Sequence, residues 1–495
     1  MNGSVSFHPS RGGAARDSVS RRTFLKTTAL GAAATVTAAS QAWAAPAVTR
    51  RRPPNLLFLN VDQLSHFAVP QFGCKPVQTP NLARLARRGT SFQLSHCADP
   101  LCSPSRACWF TGRAPSEHGV LFNDCGFRMT PEIPDLGAWL RKADYETFYV
   151  GKWHVPGREV SDSFHVFHEA CPVGDHSDAA VARTCATFLG KRSSSTPFFL
   201  TAGLMNPHDI CGWVGMNAKP LAEFPYPEIE EQLPPLPPNF HYDPREPEFL
   251  TSRVRRTQAH WTAGWSDAIW RYYAWSYYRQ VEMVDASIGR ILDALENSPH
   301  AGNTLLVFTS DHGDAVGCHA LAAKLNLYER ALRVPLIVSW PGEVAENRVD
   351  SAHLTSGFDL TPTFCDYAGT APPPEQRGVS LRPVIEGRKV SWRDHVVSHN
   401  YVCGRMVRTA QYKYIAYQGN KTEQLFDLNR DPWEMKNLAP DTAAAGPLAD
   451  HRRMLADWES RLKPLAEPPG GWLKQTEPPV RRIRKKPKNN RSTPK

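Results

Sequence analysis

The chain has 495 residues, 41% hydrophobic and 10% aromatic, which fits a globular protein of one large domain plus a smaller one. The net charge of +10 is carried by the ends: six basic residues against one acid in residues 1–50, and eight Lys/Arg with no acid in residues 481–495. The stretch between them is close to neutral, so a nucleic-acid partner would rest on a solvated tail alone and is excluded.

In chain order, Arg21 and Arg22 precede Phe24, Leu25 and Lys26, then an Ala/Thr-rich stretch and the small-x-small site Ala42-Trp43-Ala44. Residues 1–44 resemble a twin-arginine signal peptide, implying export of a folded protein to the periplasm or beyond by that machinery. The stretch is too weakly hydrophobic for a stable membrane span. "NLLFLNVD" (55–62) reads as a buried strand, "TPNLARLARRGTSF" as a helix with Pro80 in its first turn. "IPDLGAWLRKA" reads as a helix and "TFYVGKWH" as a strand. "DAAVARTCATFLG" reads as a helix and "PFFLTAGLMNPH" as a strand and loop. A long helix, "IWRYYAWSYYRQVEMVDASIGRILDAL", leads to the strands "NTLLVFTSDHG" and "PLIVSWPG". The alternation predicts an α/β domain over 53–388, a mostly parallel sheet sandwiched by helices. A Pro-rich insertion interrupts it at about 211–260. Residues 389–465 alternate like antiparallel strands and predict a small α+β subdomain; 478–495 read as a basic disordered tail. The eleven cysteines are scattered, with no CxxC pair, and their pairing is not legible.

The unusual polar residues fall at strand ends: Asp62, Lys152 with His154, His208, and Asp311 with His312. In an open parallel sheet the carboxyl ends of the strands form the ligand crevice. Each residue alone has a plainer reading, as a cap or a solvated side chain; the joint placement argues for a site. Asp62, Asp311 and His312 suit a divalent cation. Lys152, Arg106 and Lys324 add positive charge, and cation plus bases suit a tetrahedral oxyanion. Ser103 reads as an N-cap with Pro104 at the first helical position, placing Cys102 just before a helix N-terminus, where anions are attracted.

Cys102-Ser103-Pro104-Ser105-Arg106 followed by Thr111-Gly112-Arg113 resembles the signature of type I, formylglycine-dependent sulfatases of the alkaline phosphatase superfamily. "NLLFLNVDQ", "GKWH", "NPH", "SDHGD", the lysine of "LAAK", "RVPLIVSWPG" and "YKYI…EQLFDLNRDPWEMKNLA" follow in the family's order. The resemblance implies that a maturation enzyme converts Cys102 to formylglycine (3-oxoalanine), whose hydrate attacks sulfur and is then regenerated. It implies that Asp62, Asp311, His312 and the modified Cys102 hold a metal: calcium, with magnesium or manganese as alternatives. It further implies that Arg106 steadies the formylglycine oxygens, His154 is the base of the second step, His208 protonates the leaving oxygen, and Lys152 and Lys324 pair with the sulfate. Where many members have two consecutive acids, this chain has Asp62-Gln63, and Gln63 is left unassigned. The expected substrate is a sulfate ester of a carbohydrate, argued from export and the aromatic residues that flank the insertion, with a sulfated small molecule as the broader class. The alternatives are a phosphonate monoester hydrolase or phosphodiesterase of the same superfamily, and a binding protein with unconverted Cys102. His118 and His319 read as structural. Trp213, Trp261 and Trp265 are candidates for stacking on sugar rings or for packing.

Overall fold

The computed structural model describes residues 52–123, 126–217, 224–241, 243, 245–254, 261–417 and 422–466; the expected export signal and basic tail lie outside them. The apolar run Asn55–Asp62 forms β1, with all eight residues buried. Successive side chains point to opposite faces. Leu57, Leu59 and Val61 join one core, and Leu56 and Phe58 the other. A strand covered on both sides reads as a continuous apolar run rather than an alternating one.

The remaining strands are β2 (Gly89–Phe92), β3 (Ser95–His96), β4 (Glu146–Gly151), β5 (His165–Glu169), β6 (Phe198–Pro207), β7 (Thr304–Ser310), β8 (Leu336–Ser339), β9 (Arg348–Asp350), β10 (Thr355–Ser356), β11 (His395–Asn400), β12 (Gly404–Thr409), β13 (Tyr412–Tyr417) and β14 (Glu423–Asp427). Eight of them make one sheet in the order β5-β4-β6-β1-β7-β8-β2-β9. Only β8 runs antiparallel to its neighbours. The helices Pro80–Arg87, Gly174–Lys191 and Asp267–Glu296 contribute to the core on one face. Cys102–Thr111, Leu136–Arg141 and Leu360–Tyr367 contribute to the other. Strands β11 to β14 form a separate antiparallel meander. Val397, Val407, Tyr414 and Leu425 pack under Leu448, Leu455 and Trp458 of the helix Ala445–Ser460. The opposite face places Met406, Ile415 and Phe426 against Leu327, Tyr328 and Leu332.

One predicted helix is shorter than expected. It stops at Arg87, and Gly89–Phe92 is a strand pairing with β8 and β9. Gly89 makes that pairing possible: a Cβ there would lie 2.1 Å from the Val338 carbonyl oxygen. The insertion contains the short helix Ile210–Met216 and turns at Pro227–Gln232 and Phe249–Val254. The ten described cysteines are all free thiols. Among the described residues, no helix is long and apolar enough to cross a membrane.

Candidate active site

Strand β1 pairs in parallel with both β6 and β7, and β6 with β4, so four adjacent strands deliver their carboxyl ends to one edge. That edge carries Asp62, Lys152, His208, Asp311 and His312. The β1/β6 register slips from Asn60 opposite Gly203 to Asp62 opposite Pro207, an irregularity at the end of β6 just before His208. The backbone N–H groups this frees, at Met205 and Asn206, donate to the Asp178 carboxylate at 2.7 and 3.0 Å.

Cys102 is the first residue of the helix Cys102–Thr111, whose N-cap is Leu101. This corrects the expected cap at Ser103: the Ser103 backbone N–H donates to Asn123 Oδ1 at 2.9 Å, and its hydroxyl caps nothing. Fully buried, Cys102 Sγ lies 3.2 Å from His312 Nε2, 3.7 Å from Asp62 Oδ1 and 2.8 Å from Lys324 Nζ. Donor atoms of Asp62, Cys102, Asp311 and His312 all fall within 4.8 Å of one another. His312 Nδ1 donates to the Gly313 carbonyl at 2.9 Å, which leaves Nε2 presenting its lone pair to the cluster. Two carboxylates, an imidazole nitrogen and the Cys102 position form a donor set that fits a divalent cation.

Arg106 is fully buried beneath the cluster. Its guanidinium donates to Asp311 Oδ2 at 2.9 Å, Asp62 Oδ2 at 3.3 Å, Asn60 Oδ1 at 3.2 Å and the Lys152 carbonyl at 3.1 Å. Its recorded partners are thus the carboxylates and the floor of the site. Lys152 Nζ reaches Asp62 Oδ2 at 2.5 Å. Burial alone would raise the Asp62 carboxyl, but Lys152, His208, Lys324 and Arg106 together hold it well below the usual range. Burial and then the charge on Asp62 push Asp311 up to about 6, against His312 and Arg106. For Cys102, burial and Asp62 oppose ionisation, yet Lys324, Lys152 and His312 win and hold the thiol well below its ordinary value. Burial pushes His208 down to about 3, more strongly than Asp62 raises it.

Of the residues expected from the sequence, Asp62, Cys102, Arg106, Lys152, Asp311, His312 and Lys324 meet in one buried cluster, with His208 in electrostatic reach. His154 stands two residues beyond Lys152 with left-handed backbone, φ 57°. Trp213 and Trp265 pack edge-to-face at 5.6 Å, and both lie against Tyr273, which is a packing role. Trp261 is partly exposed. His118 is buried beside Cys108, and His319 stacks on Tyr328 at 3.8 Å; both serve the core.

Three residues at the site have no role in the sequence reading, Asn60, Asp314 and Tyr273, and a fourth, Gln63, is left unassigned there. Gln63 donates its backbone N–H to Asp311 Oδ1 at 3.0 Å and its amide Nε2 to Asp314 Oδ2 at 2.7 Å, while Lys324 Nζ donates to its Oε1 at 2.9 Å. Of these, Asp314 carried a signal, the acid closing "SDHGD"; Asn60 and Tyr273 carried none apart from apolar neighbours.

Residues 54–370 match the sulfatase family model, and residues 317–459 match the model of the N-sulphoglucosamine sulphohydrolase C-terminal region. A Delta 4,5-hexuronate-2-O-sulfatase of Bacteroides thetaiotaomicron is 32% identical over 84% of this chain and 91% of its own. A solved 2-O GAG sulfatase is 30% identical with a TM-score of 0.70, covering 84% of this chain and 96% of that one. The phosphonate monoester hydrolase of Agrobacterium radiobacter, 22% identical with a TM-score of 0.71 over 82% of this chain and 96% of its own, shares the fold. With its crevice geometry and these matches, the chain belongs to the sulfatase family and is a sulfuric ester hydrolase.

Proposed function

We propose that the chain removes sulfate from a sulfated carbohydrate, with Cys102 matured to formylglycine and a divalent cation held by Asp62, Cys102, Asp311 and His312. The observation that carries this reading is the position of Cys102 Sγ, 2.8 Å from Lys324 Nζ and 3.2 Å from His312 Nε2 inside a buried donor set. The carbohydrate is suggested by the relatives, one of them a hexuronate sulfatase. Calcium is the cation of choice, with magnesium or manganese as alternatives; when bound it would offset negative charge on the sulfate and on the attacking oxygen. Formylglycine would supply a hydrated aldehyde, a nucleophile whose ester can collapse and release sulfate.

The chain's own residues then have distinct work. Lys152 and Lys324 neutralise sulfate oxygens. Lys324 is suited to this because the Asp62 carboxylate favours its ammonium form despite burial. Arg106 fixes the Oδ2 atoms of both carboxylates, leaving Asp62 Oδ1 toward Cys102. His154 takes a proton in the second step. His208 delivers the proton to the leaving oxygen; it is neutral at neutral pH, so it needs the negative charge of a bound ester to favour its protonated form. Cys102 through Arg106 are buried once the chain is folded. The maturation enzyme therefore meets them before folding, and a twin-arginine signal would export the finished product afterwards.

The test is release of inorganic sulfate from a panel of defined sulfated sugars, alongside an aryl sulfate and an aryl phosphonate monoester with the same leaving group. Higher kcat/KM on a sulfated sugar supports the reading. Preference for the phosphonate would transfer the site to phosphonate ester hydrolysis.

A further inference from the structure

Lys324 hangs from an unusual stretch of backbone. Val316, His319, Ala320, Ala323 and Leu325 all have left-handed φ values, from 47° to 65°. Residues other than glycine hold that conformation only where surrounding contacts over-determine it. Such contacts form a closed ring around the lysine. The Tyr273 hydroxyl donates to Asp314 Oδ1 at 2.7 Å and accepts the Ala323 backbone N–H at 3.0 Å. Asp314 Oδ2 accepts Gln63 Nε2 at 2.7 Å, and Gln63 Oε1 accepts Lys324 Nζ at 2.9 Å. Asp314 also ties down its own loop through the Val316 N–H, at 2.7 Å. The ring thus runs from Asp314 through Tyr273 to the backbone before Lys324, and from Asp314 through Gln63 to the ammonium itself. Asp314, Tyr273 and Gln63 are buried.

The ring also explains why an amide stands at position 63. An amide donates to the Asp314 carboxylate on one side and accepts from the ammonium on the other, whereas an ionised carboxylate could only accept. A carboxylate there would face Asp314 at hydrogen-bond distance, and two buried like charges so close repel.

We infer that Tyr273 and Asp314 are positioning residues, which set the Lys324 ammonium 2.8 Å from Cys102 Sγ, where it would meet a sulfate oxygen. This rests on the proposed function, in which Lys324 pairs with the sulfate. Neither residue touches the substrate. Their effect passes through the lysine, and removing them should matter only while the lysine is present.

The experiment is a double-mutant cycle in the matured, metal-loaded enzyme, using Tyr273→Phe, Lys324→Ala and the pair. Tyr273→Phe removes one hydroxyl and leaves the ring in the core. The readouts are KM and kcat on one sulfated substrate, the affinity for inorganic sulfate by calorimetry, and a thermal melt. A lost buried hydrogen bond is typically worth about a five- to tenfold change in an equilibrium. Tyr273→Phe should therefore weaken inorganic sulfate and raise KM by about that factor, with the smaller change in kcat. In the Lys324→Ala background the same substitution should change neither. Asp314→Asn, nearly isosteric, provides a second cycle if Tyr273→Phe melts early. Additive losses, or unchanged sulfate affinity in Tyr273→Phe, would overturn the positioning role. A wild-type enzyme that bound inorganic sulfate but hydrolysed no sulfate ester would overturn the proposed function instead, and the calorimetric cycle would still decide the positioning role.

Discussion

Cys102 sits where a helix start, a lysine and an imidazole converge, and the neighbouring carboxylates are fixed by one arginine. Because Arg106 donates to both Asp62 and Asp311, replacing either acid leaves a buried guanidinium with fewer partners. Asp311→Asn should lower retained metal and activity together, since a charged ligand becomes a neutral one. Metal content after dialysis against a chelator checks this, and unchanged content would remove Asp311 from the ligand set. His208→Ala should reduce kcat/KM on a sugar sulfate by roughly a hundred- to ten-thousandfold, the usual worth of general acid catalysis. An aryl sulfate, whose leaving group needs little protonation, should lose far less. Equal losses with an unchanged melt would reassign His208 to binding. At this scale the sequence was informative where chemistry coincides with a strand end: Asp62, Lys152, His208, Asp311 and His312 each close an apolar run. It leaves Gln63 unassigned and marks nothing in Tyr273: Gln63 reaches the site through hydrogen bonds to segments 251 and 261 residues away, and Tyr273 through bonds that span 41 and 50 residues. Tyr273 in particular lies within an aromatic-rich helix and reads as core, which its ring is.

The helix Gly174–Lys191 clasps the end of β6. Asp178 accepts the two N–H groups freed by the register slip, while Asp209, just past His208, accepts the N–H groups of Gly174 and Asp175 at the helix start. Burial, with the charges of Asp209 and Asp175, pushes the Asp178 carboxyl up to about 7 despite its backbone donors. The folded chain therefore holds this proton to a higher pH than the unfolded chain, whose carboxyl titrates near its usual value of about 4. The contribution to stability is full below about pH 4 and is lost as pH rises toward 7, at up to about 1.4 kcal/mol per pH unit. Asp178→Asn, which does not titrate, should flatten that part of the stability profile; denaturant melts at several pH values between 4 and 7 measure it, and an unchanged slope would contradict the assignment. Element types are readable from apolar periodicity, but boundaries are not: the helix expected to start after Ser103 begins at Cys102, and another stops at Arg87. That second predicted helix runs through Gly89 because a strand of four residues, next to the sheet edge, has too little sequence to announce itself. The antiparallel direction of β8 was equally hidden, since it depends on a return path around the sheet rather than on local pattern.

Across the whole molecule, the four-stranded sheet is joined to the larger one by buried charge as well as by apolar contact. Lys413 Nζ on β13 lies 2.7 Å from Glu434 Oε1 and 3.3 Å from Glu329 Oε1, and the Glu329 backbone N–H donates to Glu434 Oε2 at 2.8 Å. His96 Nε2 approaches the same Glu329 oxygen at 3.3 Å. Glu329 begins the short helix after the Lys324 loop, so the network braces that loop from behind. Lys413→Ala would leave the buried Glu434 carboxylate without its close cation, and Glu329 with only His96 and Arg408. Breaking a buried pair in this way typically costs about 3–5 kcal/mol, and chemical denaturation should show a loss of that order. A change under about 1 kcal/mol, the range of an exposed pair, would mean that the network is solvated. The two-sheet architecture was legible from the change of texture near residue 389, whereas the network was not, because its members are single charges in unrelated segments. Whether turnover depends on a converted Cys102 is read from specific activity on a sulfated substrate, plotted against the converted fraction in the same preparations as given by the mass of the Cys102 peptide. Conversion removes a sulfur and two hydrogens and adds an oxygen. The expected result is a straight line through the origin, with no turnover in preparations that carry only the thiol; full activity in wholly unconverted protein would rule out the formylglycine mechanism.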